Sequence, residues 1–254
     1  ARYLRTKEPE AFARGLEGLV IERITLAEAG PLGVTVPRAL VEREARKRIA
    51  AWEKNVRAAA VEQTGEEVDP ALWLQRIAGA SMADLSSWIE HHTEVELIQD
   101  RLLRYEVLAS PHVEISLLLV EGEAKAKTLA DEAKGGDFAA LAKANSVHPS
   151  APDGGKIPGA LLPADIADPD VRKALFDAKA GEVKGPFRSR GGKDTFEIYR
   201  VDATFPARPG SYKDLAREVT RDLETRPVDV AEYERWRTRV LVRHGFLSAD
   251  GGPE

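Results

Sequence analysis

A chain of 254 residues, 43% hydrophobic and 31% charged, has room for about two domains and falls among folded globular proteins rather than disordered ones. Its formal net charge of −5 argues against a general nucleic-acid binder, which carries a basic face, and the lack of cysteine excludes disulfides, thiolate nucleophiles and zinc–thiolate sites. No apolar run approaches the ~20 residues that span a bilayer, and the opening Ala1-Arg2-Tyr3 reads as the start of a processed or trimmed chain.

Residues 10–30 predict an amphipathic helix, with Phe12, Leu16, Leu19, Val20, Ile24 and Ala27 recurring at three and four residues. Gly30-Pro31-Leu32-Gly33 stops it. Thr35 suits an N-cap with Pro37 in the first turn of a helix running to about 63, striped by Leu40, Val41, Ala45, Ile49, Trp52 and Val56. Pro70 opens a short helix carrying Trp73, Leu74 and Ile77. Ser81 and Asp84 form a capping-box pattern before a long helix to about 108, whose inner face includes Leu85, Trp88, Ile89, Leu97, Leu102 and Tyr105.

Ser110-Pro111 breaks that helix. A strand over 113–120 and a helix over 123–134 follow, the latter ended by Gly135-Gly136. Asp137 caps the next helix, where Phe138, Leu141 and Ala142 share a face. From His148 to Gly155 the chain is dense in breakers and reads as a loop. Residues 170–178 predict a helix, 181–187 lead into an edge strand, and 193–201 form a final strand. Pro206 and Pro209 mark a linker over 203–210. Two helices close the chain: 211–225 with Tyr212, Leu215, Val219 and Leu223 inward, and 229–244 with Tyr233, Trp236, Val240 and Leu241. Gly245 caps the last, and 248–254 is a frayed tail.

The run Asp137-Phe138-Ala139-x-Leu141-Ala142, then Ser146, Gly154-Gly155, Ala174-Leu175-Phe176 and Gly181-Glu182-Val183 resembles the parvulin family of peptidyl-prolyl isomerases over 113–201. With the flanking helices, and with residues 16–36 similar to an opening chaperone helix and its turn, the chain resembles the SurA/PrsA/PpiD class of extracytoplasmic foldases. The usual N-terminal strand and the lobe linker of that class are absent or very short. The resemblance implies an α+β fold: an all-α chaperone module built from 1–110 and 207–254, with a parvulin-like (FKBP-like) domain inserted at 111–206. It implies binding of unfolded or nascent polypeptide clients or of a partner protein. It also implies an extracytoplasmic location, periplasmic or membrane-anchored and facing outward, with no cofactor, metal or nucleic acid involved.

Parvulins resemble one another in two histidines on adjacent strands, a nearby Asp or Cys, and a Met/Phe ring pocket. Carried over by position, the first histidine falls on Leu117, the second on Glu197 with Thr195 as the alternative register, and the Asp/Cys on His148. The pocket residues fall on Ala167 and Val171, Phe176 alone keeps an aromatic, and Lys156-Ile157-Pro158 replaces the usual Asp-Leu-Gly. Leu117 cannot hydrogen-bond, and His148 before Pro149 reads as a solvent-exposed loop histidine. The expectation is a degenerate parvulin with weak or no isomerase activity. An active isomerase with an unusual site, and a structural subunit using the fold as a scaffold, are the alternatives.

Other patterns are weaker. His91–Glu94 and His92–Glu96 have helical ligand spacing but no third ligand nearby. Arg235, Arg237, Arg239 and Arg243 are interleaved with Glu232 and Glu234, as on an ordinary charged helix face. Gly135-Gly136, Gly154-Gly155 and Gly191-Gly192 match no phosphate loop. Trp52, Trp73, Trp88 and Trp236 all lie in the helical part. Core packing is one reading of them; the other makes Trp52, Trp88 and Trp236 part of an apolar groove for client segments.

Overall fold

The computed structural model describes residues 9–191 and 194–247; the expectations for Ala1-Arg2-Tyr3, for the side chain of Phe12, for Gly192 and Lys193 and for the tail 248–254 lie outside the described residues. The chain divides into two compact units, 1–102 and 103–254. The fold is α+β, largely helical with one three-stranded sheet.

The first unit is helical: α1 (Pro9–Leu32), α2 (Arg38–Thr64), α3 (Pro70–Ala78) and most of α4 (Met82–Ala109). Its core gathers Ile21 and Ile24, Val41 and Ala45, Leu74, and Ile89, Val95 and Ile98. A buried polar link runs inside it: Gln99 Nε2 donates to Thr25 Oγ1 (3.1 Å), which donates to Ile21 O (2.7 Å). Asp69 caps α3 through the Ala71 amide, and Ser81 and Asp84 complete the expected capping box before α4. Thr35 does not cap α2. Pro37 holds the N-cap position with no side-chain cap bond, and its carbonyl accepts from the Leu40 and Val41 amides. Leu16 and Leu19, expected on an inner face of α1, are exposed.

Trp88 is also a correction. It was expected on the inner face of α4, but successive helical residues point about 100° apart, and the buried stripe is set by Ile89. Trp88 therefore turns outward, 58% exposed, with its ring 4.1 Å from that of His92 one turn on.

The second unit is built on the sheet β1-β3-β2: β1 (His112–Glu121), β2 (Val183–Arg188) and β3 (Thr195–Phe205), all antiparallel. Strand alternation gives the sheet two buried faces. Leu118 and Val120 of β1, with Phe196 and Ile198 of β3, pack under α5 (Glu123–Gly135) and α6 (Phe138–Asn145). Val113, Ile115 and Val201 pack under α7 (Pro169–Phe176) through Val171 and Leu175. Asp137 caps α6 by accepting from the amides of Ala139 and Ala140, and Asp168 caps α7 from those of Asp170 and Val171.

Gly154 and Gly155 have positive φ, +70° and +81°. A Cβ on Gly154 would lie 2.7 Å from Ala139 Cβ, and one on Gly155 would collide with the Leu117 carbonyl. Only glycine lets the loop close against both α6 and β1, where Leu117 N donates to Gly155 O at 2.7 Å.

Helices α8 (Tyr212–Thr225) and α9 (Val230–Arg243) belong to this second unit. Arg104, on the last turns of α4 and 1% exposed, reaches Asp222 (2.6 Å), Glu232 (3.2 Å) and the Arg226 carbonyl (3.0 Å). Tyr105 meets the Tyr212 ring edge-on at 5.7 Å. Arg239 joins Asp165 (2.6 Å) to Glu106 (3.1 Å). Trp236 is 1% exposed, so its large apolar side chain fills the core under α9 and offers no binding surface, contrary to its expected place in a client groove.

Candidate peptide-binding site

Leu117 on β1 and Glu197 and Tyr199 on β3 project from the same face of the sheet, Leu117 standing directly opposite Tyr199. They line a cleft of about 300 Å³, closed on one side by Ala167 and Val171 and on another by Ile157 of the glycine loop. The floor and walls are mainly aliphatic; Glu197, Tyr199 and Ser189, with Asp165, Asp168, Arg188 and Arg190, supply the polar edge.

Four of the positions expected from sequence, Leu117, Glu197, Ala167 and Val171, thus come together. Thr195, the alternative register, sits at the start of β3 opposite Glu121 and away from the cleft. Phe176 is not among the lining residues; it packs against the Val113–Val201 core cluster under α7. Tyr199 and Ser189 were missed. Tyr199 was legible in principle, since a residue two positions after Glu197 on a strand shares its face. Ser189 comes from the β2–β3 connection, and no local periodicity marks it.

Three of these polar groups form a closed network. Tyr199 donates its hydroxyl to Glu197 Oε2 (2.6 Å), and Ser189 donates to Glu197 Oε1 (2.8 Å). Burial, then the hydrogen bond to Glu197 and its charge, push the Tyr199 phenol well above its ordinary range, so it stays protonated and keeps donating.

His148 is half-buried rather than the exposed loop residue expected, because its ring folds back on its own loop. The Ser150 amide donates to His148 Nδ1 (3.1 Å), with Ser150 Oγ 2.8 Å from the same nitrogen. An Nδ1 that accepts leaves the hydrogen of the neutral ring on Nε2. Burial pulls the His148 pKa down, partly countered by the Glu197 charge. The other histidine pair is engaged elsewhere: His91 Nε2 lies 2.8 Å from Glu22 Oε1, and His92 Nδ1 lies 3.0 Å from the Trp88 carbonyl.

Rotation about an X-Pro bond is slow because the amide loses resonance, a barrier of about 18–20 kcal/mol. Lowering it calls for donors aimed at the twisted amide. Here the Tyr199 and Ser189 hydroxyls are committed to Glu197, and Leu117 offers nothing polar. Ala167 and Val171 bring only small side chains to the cleft wall.

Residues 107–216 match the family described as PPIC-type PPIASE domain. The chain carries a parvulin domain. Among solved structures it is similar to the peptidylprolyl isomerase PrsA of Bacillus anthracis, at 18% identity over 90% of this chain and 96% of that one, with a TM-score of 0.40. It is also similar to a SurA-like chaperone of Campylobacter jejuni, at 17% identity over 83% of each chain and a TM-score of 0.37. The parvulin of Nitrosopumilus maritimus covers 37% of this chain and 98% of its own, at 25% identity and a TM-score of 0.31. The search of curated proteins returns no match. Among the described residues, no helix is long and apolar enough to cross a membrane.

Proposed function

We propose that this protein is an extracytoplasmic folding chaperone of the SurA/PrsA type. Its parvulin domain holds an extended segment of an unfolded or partner polypeptide in the Leu117–Tyr199 cleft, with little or no prolyl isomerisation. The observation that carries the reading is the polar edge of that cleft: both nearby hydroxyls donate to Glu197 rather than facing the space a proline amide would occupy. The domain division that goes with this proposal is 1–110 and 207–254 for the helical chaperone module and 111–206 for the parvulin domain. Arg104 and Tyr105, which engage α8, lie with it in the compact unit 103–254, so these contacts stand within that unit and leave the division resting on the family resemblance.

Within the first unit, Leu72 and Ile77 are 63% and 66% exposed on α3 beside the half-exposed Trp73, whose ring meets that of Trp52 edge-on at 6.3 Å. Those residues, with Trp88, supply the apolar surface a holdase needs. Trp236 drops out of the client-binding set.

A second reading, an active isomerase with an unusual site, rests on the Nε2–H of the His148 tautomer, although His148 is not among the residues lining the cleft. Two assays on the same preparation separate the readings: protease-coupled isomerisation of a tetrapeptide, and suppression of aggregation of an unfolded substrate. Holding without turnover supports the proposal. Isomerisation at normal parvulin rates overturns it, and failure in both assays leaves the fold as a scaffold.

A further inference from the structure

Beside the aliphatic cleft the second unit has a larger one of about 710 Å³, between the 164–172 segment and α9. The two share Asp165, Ala167 and Arg190, so they adjoin. This second cleft is lined by five arginines, Arg172, Arg190, Arg235, Arg239 and Arg243, against three carboxylates, Glu106, Asp165 and Glu234.

The carboxylates are already used. Asp165 and Glu106 pair with Arg239, Glu106 pairs again with Arg243, and Glu234 pairs with Arg237 at 2.7 Å. Of the remaining guanidiniums, Arg172 and Arg235 are hydrogen-bonded to carbonyls, with Asp165, Asp229 and Glu232 near enough to act on the Arg235 charge, and Arg190 has a loose carboxylate partner. Arg172 donates to the carbonyls of Ile166 (2.9 Å) and Ala167 (3.5 Å), and Arg235 donates to the Pro158 carbonyl (2.6 Å). Arg235 Nε is buried with no hydrogen-bond partner, and Arg190 meets Asp168 only at 3.8 Å. Carbonyl contacts fix the direction of a guanidinium without neutralising it. A buried N–H left unmade is costly, and anions are what arginine forks bind best.

We propose that this cleft is a binding subsite for carboxylate side chains, so that the preferred polypeptide carries acidic residues within a few positions of the apolar residue held against Leu117 and Val171. The inference rests on the peptide-holding reading given above. Its size lies in the ~300–1,000 Å³ range of clefts that take small ligands, enough for one or two acidic side chains. An overall charge of −5 would repel such a segment at long range, and the local excess of guanidinium reverses that at contact.

The test uses the full chain and three labelled peptides read by fluorescence anisotropy: a Leu-Pro core followed by three Glu, the same core followed by three Gln, and a Glu tract without the core. At low salt the first is expected to bind about five- to tenfold tighter than the second, as two partly solvated ion pairs would give. The ratio should fall towards one at high salt and in the variants Arg190→Glu and Arg235→Gln, whose folding is checked by thermal unfolding. Equal binding of the Glu and Gln peptides overturns the acidic subsite and leaves the peptide cleft standing. Binding of neither overturns both. Binding of the Glu tract alone, lost in Arg190→Glu, keeps the subsite and removes the peptide-cleft reading.

Discussion

Replacing Gly155 by alanine tests how the paired-glycine loop builds the site. Gly155 has φ +81°, a conformation that costs an L-residue about 1–2 kcal/mol. Its new Cβ would also collide with the Leu117 carbonyl and lie 3.1 Å from Ala142 Cβ, so the loop must withdraw from β1. Withdrawal breaks the Leu117 N to Gly155 O bond, worth about 1 kcal/mol, and the shift of packed groups adds about 1–3 kcal/mol. The total is about 3–6 kcal/mol.

Gly181→Ala is the control. Gly181 has the same kind of backbone, φ +90°, but a Cβ there meets open space, so only the conformational cost of about 1–2 kcal/mol applies. Urea unfolding is read from Trp236, with Trp52, Trp73 and Trp88 changed to phenylalanine so that the signal reports the second unit alone. The two variants should differ by about 2–4 kcal/mol, and client-peptide affinity should drop only in Gly155→Ala, because Ile157 and the His148–Ser150 turn ride on that loop. Equal destabilisation would refute the close approach of loop and strand on which the site description depends.

The other predictions concern charge, pH and the tryptophans. Arg104→Met leaves Glu232 buried without its guanidinium and should cost about 3–5 kcal/mol in the same assay, most of it recovered when Glu232→Gln is added. His112 and His148 both have pKa values lowered below 6.5 by burial, so the unfolded chain binds more protons than the folded one on the acid side of 6.5. Their linkage costs nothing above that pH, and stability falls as pH drops from 6.5 towards the folded pKa values; NMR titration should find both midpoints below 6.5, and His148→Gln should flatten the slope. Trp88→Ala should change stability by no more than about 0.5 kcal/mol while weakening suppression of aggregation, whereas Trp236→Ala should cost about 3–5 kcal/mol. A Trp88 variant with undiminished holding activity would remove that residue from the client surface.

What the linear chain determined on its own is what short-range chemistry controls. Asp137 could be read as a cap because a carboxylate beside free first-turn amides acts within three residues; Asp168 does the same for α7, whose start was expected only at 170. Gly154-Gly155 announced a loop dense in breakers, whereas Leu117 and Glu197 stand out through the parvulin resemblance rather than through local pattern. The absence of both strand histidines is likewise legible through the resemblance, since only the family pattern says where they would stand.

Tertiary structure decided the rest, because those choices depend on partners tens of residues away. Whether Trp88 or Ile89 turns inward is a rotation of about 100° that the helix pattern alone leaves nearly balanced. Trp236 and Trp88 are the same residue type on amphipathic helices, one sealed and the other open. The Tyr199–Glu197–Ser189 network needed the β2–β3 connection to fold back over the sheet. The arginine cleft needed α9 to lie beside the 164–172 segment, bringing together guanidiniums that in sequence look like an ordinary charged helix face.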